Sequence, residues 1–465
     1  MERMINLLNP WWREPNWTFF AADRVLLKNI TPLIERDEII VIKGPRQAGK
    51  TYLLYQLVDK LLKRQVAPGN IFYFSLDDED IRNWISKTPR EFTSFVLSKI
   101  NSHRIFIFLD EFQKAPNLTE IIKIFQDSPG KIKFFLSGSS SLQIAEKVSE
   151  SLLGRTISFL LYPLSFSEYL AFHLGKSRLF DSQNLYQIQR QIQEFFVTPN
   201  ENLFHELTKS DQSFELFFKE INSMLQQYLL NGGYPRLLNE DRDTSFLLLK
   251  QIKNSYIEKD ILKELKIFNI DVYEKLMTFL AFAIGSLLNV SSLAGDLAAS
   301  SPLISKFLNV LKNTFIVDTL PVFSTNKISS LKKAQKIYFN DIGFRNLLTK
   351  TLDKALLSRE IGPIMENFVF DQLKKYIHYV LNDFASLYFW RNSVKNEIDF
   401  IFEYKRDLLP IEIKHKPQLT RGMMIFMDKL ALKNGIIVND SLLAHESKNG
   451  KNIYFIPLSL MGILI

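Results

Sequence analysis

Over its first third the chain alternates short, uniformly apolar runs with longer stretches of mixed polarity at helical spacing. Ile39-Ile40-Val41-Ile42, Ile71-Phe72-Tyr73-Phe74-Ser75-Leu76, Ile105-Phe106-Ile107-Phe108-Leu109 and Lys133-Phe134-Phe135-Leu136 read as strands. Runs with so few polar positions suit strands buried on both faces, as in a parallel sheet covered by helices. Between them the pattern predicts a helix from about 50 to 63 and a helical stretch after Asp77-Asp78-Glu79-Asp80 towards Ile100. Alternating strand and helix make an α/β architecture the expectation.

Beyond residue 170 the strand signal stops. Leu185–Phe196 and Phe214–Leu230 carry helical spacing, Asn231-Gly232-Gly233-Tyr234-Pro235-Arg236 is a sharp turn, and Ser255–Leu265 reads as a helix of mixed charge. From 271 to 323 the pattern predicts a helix at Leu293–Ala299 capped by Val290-Ser291-Ser292. A second helix follows at Leu303–Asn313, entered through Ser300-Ser301-Pro302. A strand pair at 315–317 and 320–323 would complete the order of a winged helix. Lys336–Gly343 is a link, and an amphipathic helix opens near Gly362. Strands follow at 387–390, 397–402 and 409–414, with a hairpin turn at Tyr404-Lys405-Arg406-Asp407.

Phe279–Leu288 and Ile453–Ile465 are the longest apolar stretches, and both fall short of a membrane span. The first residues lack an apolar signal core, so a soluble, cytoplasmic protein without membrane contact is expected. At 465 residues about three domains of ~150 residues each are expected. The net charge of +8 permits an anionic partner without naming one. Cysteine is absent, which excludes disulfides, thiol nucleophiles and cysteine-ligated metals; 6 scattered histidines make a histidine zinc site equally poor. The cluster Asn9-Pro10-Trp11-Trp12 with Trp17 is either a base-stacking surface or an arm packed on its neighbour, the latter fitting better.

Candidate chemistry begins directly after the first strand. Gly44-Pro45-Arg46-Gln47-Ala48-Gly49-Lys50-Thr51 satisfies G-x-x-x-x-G-K-[ST] in full. Gly44 and Gly49 let the backbone curl around a polyphosphate, Lys50 meets the β/γ-phosphates, and the Thr51 hydroxyl joins a Mg²⁺ shell. The following helix adds its positive end. The strand at 105–109 delivers Asp110-Glu111, where Asp110 would hold Mg²⁺ through water and Glu111 would polarise the attacking water. Ser139, in Ser137-Gly138-Ser139-Ser140-Ser141, is either a γ-phosphate sensor or part of an ordinary Ser/Gly turn.

A second set of polar residues lies near the C-terminal end. Asp399 on one strand precedes Glu412-x-Lys414 on the next, the layout of a PD-(D/E)xK nuclease. Side chains two apart on a strand share a face, so Glu412 and Lys414 point together. Asp399, Glu412 and Glu366 could then hold Mg²⁺, with Lys414 orienting water or neutralising phosphate charge. A salt-bridged cluster and a domain that only binds nucleic acid remain alternatives. Lys306, Asn309, Lys312 and Asn313 on the second helix suit DNA phosphates or base edges, although winged helices also bind proteins.

The phosphate loop, with Leu109–Lys114, Leu136–Ser141, Gly154-Arg155 and Pro163–Tyr169, resembles a family of prokaryotic AAA-type ATPases common in archaea. Asn9-Pro10-Trp11-Trp12 and Gly232-Gly233-Tyr234-Pro235 fit the same pattern. The C-terminal segment resembles archaeal Holliday-junction resolvases in motif order. The resemblance implies ATP and Mg²⁺ as ligands, a helical lid, and a homo-oligomer, ring or dimer. It also implies that Arg155 meets the γ-phosphate, of its own or a neighbouring subunit. The expected organisation is a P-loop AAA-type ATPase core with an N-terminal arm (1–169), a helical lid (170–265), a winged helix (266–345) and a small α/β restriction-endonuclease-like domain (346–465). Function is then expected to be ATP-hydrolysing DNA processing with a Mg²⁺-dependent nuclease-like domain. The alternative is an ATP-controlled switch whose C-terminal domain binds DNA or protein without cutting.

Overall fold

Five parallel strands build the sheet of the first compact unit, Met1–Pro163. They are β1 (Ile39–Lys43), β2 (Ile71–Ser75), β3 (Ile105–Asp110), β4 (Ile132–Gly138) and β5 (Thr156–Leu160), in the order β2-β3-β4-β1-β5. The structure, a computed structural model, describes the chain except residues 1, 15, 20–21, 100–102, 116–117, 127–130, 140–151, 153, 175–181, 202–203, 206–211, 265–268, 327–332 and 352. Every residue of β3 and β4 is buried, as uninterrupted apolar runs require. β5 was not expected. Its Thr156-Ile157-Ser158-Phe159 alternation fits a half-buried edge strand, and it lacks the long apolar run by which the others are recognised.

Between β1 and β2 the helix Lys50–Lys63 turns Leu53, Leu54, Leu57, Val58 and Leu61 inward. Asp78 caps the next helix, Glu79–Lys87, by accepting from Ile81 N at 3.0 Å. The N-terminal arm closes the open edge of β2. Asn9, fully buried, donates to Tyr73 O at 3.0 Å and accepts from Tyr73 N at 2.6 Å, replacing the pairing that an edge strand lacks. The indoles of Trp11 and Trp12 both donate to Ile71 O. The tryptophan cluster is therefore a packed arm.

The second unit is Leu164–Ile465. Its helices at 166–174, 182–197, 212–231 and 242–256 match the loss of strand signal, and Ile257–Glu264 continues as a π-helix. One hydrophobic core runs from Tyr234 through Leu249, Tyr273, Phe307 and Val317 to Leu347. Inside it Tyr256 shares hydrogen bonds with Tyr273 (2.6 Å) and Thr314 (2.7 Å), which satisfies three buried hydroxyls at once.

Helices Val290–Asp296 and Ser301–Asn313 lie near their expected places. Asn289, one residue ahead of the expected Val290–Ser292 cap, accepts from Ser292 N at 3.1 Å, while Ser300 caps the second helix. The strand pair differs from expectation. β6 (Val317–Leu320) pairs antiparallel with β7 (Lys336–Phe339), inside the stretch expected to be a link. The 320–323 segment turns elsewhere: Pro321 has no N–H to donate, its carbonyl accepts from Phe389 N, and Val322 bridges to Phe389.

The remaining sheet runs β12-β13-β11-β10-β9-β8, from β8 (Ala385–Arg391), β9 (Glu397–Tyr404), β10 (Asp407–Ile413), β11 (Asn434–Asn439), β12 (Ala444–Lys448) and β13 (Lys451–Pro457). Phe400 and Phe402 of β9 meet Phe370 and Tyr376 of the helix Ile361–Tyr379. Ile401, between them, packs with Met423, Phe426 and Met427 of the helix Arg421–Lys429, which lacked a clear sequence signal. Lys405 and Arg406 turn the β9–β10 hairpin with φ of 49° and 75°. Among the described residues no helix is long and apolar enough to cross a membrane.

Candidate functional site

The loop between β1 and the helix Lys50–Lys63 is held close to its own sheet. A Cβ at Gly44 would lie 2.2 Å from Leu161 O, so only glycine fits, and Gly49 enters the helix with φ 95°. Gln47 also takes a left-handed conformation, φ 61°. Arg24 secures the loop from behind: fully buried, it donates to Ala48 O at 2.7 Å and Tyr162 O at 2.8 Å. Lys50 Nζ rests on Gly44 O (3.0 Å) and Pro45 O (2.9 Å), where phosphate oxygens would replace those carbonyls.

Asp110 ends β3 beside this loop. Its Oδ2 accepts from Thr51 Oγ1 at 2.5 Å and from Tyr73 Oη at 2.9 Å, and Oδ1 accepts from Ser137 Oγ. Burial and the Asp110 charge push the Tyr73 phenol far above its ordinary range, so it stays a donor. A left-handed turn at Glu111, φ 56°, sends that side chain elsewhere. Glu111 Oε2 accepts from Gln113 Nε2 at 2.5 Å and from Ser139 Oγ at 3.3 Å. An ammonium, a hydroxyl beside a carboxylate and a second, separate carboxylate fit Mg²⁺-ATP: oxygen ligands for the ion, a cation for phosphate, a base for water.

Arg155 falls outside this group. Its carbonyl accepts from Ile39 N at 2.8 Å, placing it beside the first residue of β1, whereas the phosphate loop follows the last. Four residues of strand separate the two ends by about 13 Å. Its backbone thus lies at the end of β1 opposite the phosphate loop. Tyr73, Ser137 and Arg24 were missed in the sequence because their contacts depend on strand register and arm packing, and Gln113 because its contact with Glu111 depends on the left-handed turn between them.

In the second unit Glu366, Asp399, Glu412 and Lys414 come together. Glu412 and Lys414 share a face, with Lys414 Nζ 3.1 Å from Glu412 Oε1. Thr420 donates to Glu412, and Ile413 N donates to Asp399 Oδ2 at 2.8 Å. Lys336, not singled out beforehand, sits among the acids: its Nζ lies 2.9 Å from Glu366 Oε1, 2.6 Å from Glu397 Oε1 and 4.0 Å from Asp399 Oδ1. Tyr338 also donates to Glu366 at 2.6 Å. Burial, then repulsion from Asp399, pushes the Glu366 carboxyl up to about 7, and burial raises Asp399 and Glu412 as well. Burial pulls the Lys336 ammonium down, but Glu366, Asp399 and Glu397 overcome it and raise it. Among the described residues no group of three or more His, Cys, Asp or Glu is placed to hold a metal ion. The cluster as folded does not fit a divalent ion.

The family model of an AAA domain matches residues 36–170. Two families described as domains of unknown function match 222–355 (DUF8612) and 361–461 (DUF4143). An uncharacterized protein of Haemophilus influenzae is 23% identical over 394 residues, 83% of this chain and 85% of its own. One of Methanocaldococcus jannaschii is 25% identical over 395 residues, covering 83% and 77%. Among solved structures, the Walker-type ATPase of Pyrococcus abyssi has a TM-score of 0.43 at 14% identity, covering 70% of this chain and 95% of that one. AMPPCP-bound DnaA of Aquifex aeolicus has a TM-score of 0.25 at 16% identity, covering 66% and 92%. Over residues 36–170, which carry the phosphate loop and Asp110-Glu111, the chain is similar to AAA domains.

Proposed function

We propose that the first unit binds Mg²⁺-ATP at residues 44–51, hydrolyses it, and uses hydrolysis to switch the state of the second unit. The observation that carries this reading is the division of labour between adjacent acids. Asp110 faces Thr51, while Glu111 is turned away onto Gln113 and Ser139. Bound Mg²⁺ would supply charge neutralisation on the phosphates. Lys50 would exchange the Gly44 and Pro45 carbonyls for phosphate oxygens. Thr51 and Asp110 would hold the ion, with Tyr73 and Ser137 fixing the Asp110 carboxylate. Glu111 would orient the attacking water and accept its proton, its rotamer set by Gln113. Ser139 would sense the γ-phosphate, and Arg155 would serve a neighbouring subunit.

Nucleotide affinity and ATP turnover test this directly. Lys50→Ala should lose both, whereas Glu111→Gln should keep nucleotide and lose turnover by about a hundredfold or more. Normal turnover in Lys50→Ala would overturn the reading.

For the second unit we favour engagement of DNA or protein without cleavage, because Lys336 already pairs with Glu366 and Glu397. Exposed Lys306, Asn309 and Lys312 support DNA as the partner. Mg²⁺-dependent DNA cleavage is the second reading, favoured by the convergence of Glu366, Asp399, Glu412 and Lys414. Linear, single-stranded and four-way-junction DNA with Mg²⁺ or Mn²⁺ separates the two. Cutting by the wild type that Asp399→Ala abolishes would establish the second reading.

A further inference from the structure

Lys336 is the first residue of β7, and its backbone is fixed on both sides. It pairs with Leu320 of β6 and bridges to Leu287. Its side chain is 3% exposed. The ammonium stands 5.5 Å over the Phe389 ring and ends among Glu366, Glu397 and Asp399. A buried lysine costs several kcal/mol of desolvation unless its partners return it, so this placement is a built feature of the hairpin.

A Mg²⁺ or Ca²⁺ ion bridging Glu366 and Asp399 would sit about 2.0–2.6 Å from an oxygen of each. Lys336 Nζ lies 2.9 and 4.0 Å from those oxygens, so ion and ammonium would contend for one volume. Charge leads to the same conclusion. Glu366, Glu397, Asp399 and Glu412 are faced by Lys336, by Lys414 at 3.1 Å from Glu412, and by Arg391 at 3.6 Å from Glu397. Two further positive charges would leave the cluster in surplus unless Lys336 withdrew.

We infer that Lys336 is a built-in counter-ion standing where a divalent cation would bind, and that the cluster takes a metal only when this lysine is withdrawn. An ordinary salt-bridge network would differ, since deleting its lysine would destabilise it without creating affinity for metal.

The test reads Mn²⁺ binding by the electron paramagnetic resonance signal of free Mn²⁺, on the full chain without nucleotide. Activity is not read, so failure of the ATP site cannot mimic failure here. Wild type and Lys336→Arg should show no Mn²⁺ site that Asp399→Asn removes. Lys336→Met should gain one site per chain, lost again in Lys336→Met/Asp399→Asn. Should Lys336→Met unfold without metal, Mn²⁺ should restore its folding while leaving the wild-type Tm unmoved. A wild-type site abolished by Asp399→Asn overturns the inference. So does a folded Lys336→Met without a site, or an unfolded one that Mn²⁺ does not recover.

Discussion

Tyr73 Oη donates to Asp110 Oδ2 at 2.9 Å, the same oxygen that accepts from Thr51. A phenol on the edge strand thereby sets the orientation of the carboxylate proposed to hold Mg²⁺. Tyr73→Phe removes that bond and keeps the ring stacked on Tyr55, whose centroid is 5.0 Å away. One hydrogen bond to a charged acceptor, with Thr51 and Ser137 still in place, predicts about a tenfold fall in kcat. KM for ATP should change little. Steady-state ATPase kinetics as a function of Mg²⁺ would show it, and an unaltered kcat would remove Tyr73 from the site.

Asn9 serves both the N–H and the C=O of Tyr73. Asn9→Ala leaves two buried backbone groups without those partners, which should cost about 2–4 kcal/mol. Urea denaturation would read the loss as a lowered midpoint.

Lys375 and Asp371 form a buried pair at 2.6 Å, with Lys375 Nζ also donating to Leu164 O at 3.2 Å. Burial raises the Asp371 carboxyl while Lys375 draws it back down. Lys375→Met strands that carboxylate and should cost about 3–5 kcal/mol. Lys375→Met/Asp371→Asn should recover part of it, and guanidinium titrations of both variants would show whether the pair is coupled.

Asp341 caps the helix Ile342–Thr349 by accepting from Phe344 N at 2.8 Å, and it accepts from Gly233 N at 2.7 Å. Burial pushes its carboxyl up to about 6, from an ordinary 3.8. The folded state therefore binds the extra proton between those values, and this group's stabilising contribution is present below the lower one. It is lost as pH rises through about 6. Tm measured from pH 4 to 7 should fall more steeply with rising pH in the wild type than in Asp341→Asn. Parallel profiles would refute the assignment.

The parts legible in sequence are those whose chemistry is local. The phosphate loop, Asp110-Glu111 and the Glu412-x-Lys414 pair need only neighbouring residues and a strand or helix period. Ser137, Gln113 and Tyr73 reach Asp110 and Glu111 across strands or turns, so they become visible only once register is fixed. Lys336 looked like part of a link because 336–339 is short and its partner β6 precedes it by a long connection. β5 escaped because an edge strand half-open to solvent alternates instead of running apolar. Gln113 apart, which lies two residues from Glu111, each missed residue acts on a group far from it in sequence.

The clasp of the arm on β2 has a mechanical corollary. Asn9 grips the backbone of Tyr73, Trp11 lies 6.3 Å from the Tyr55 ring, and Tyr55 stacks on the phenol that steadies Asp110. Asn9 and Trp11 are thus linked to Asp110 through Tyr73. Trimming them, or tugging on them, would be felt at the carboxylate proposed to hold Mg²⁺ before the sheet itself came apart.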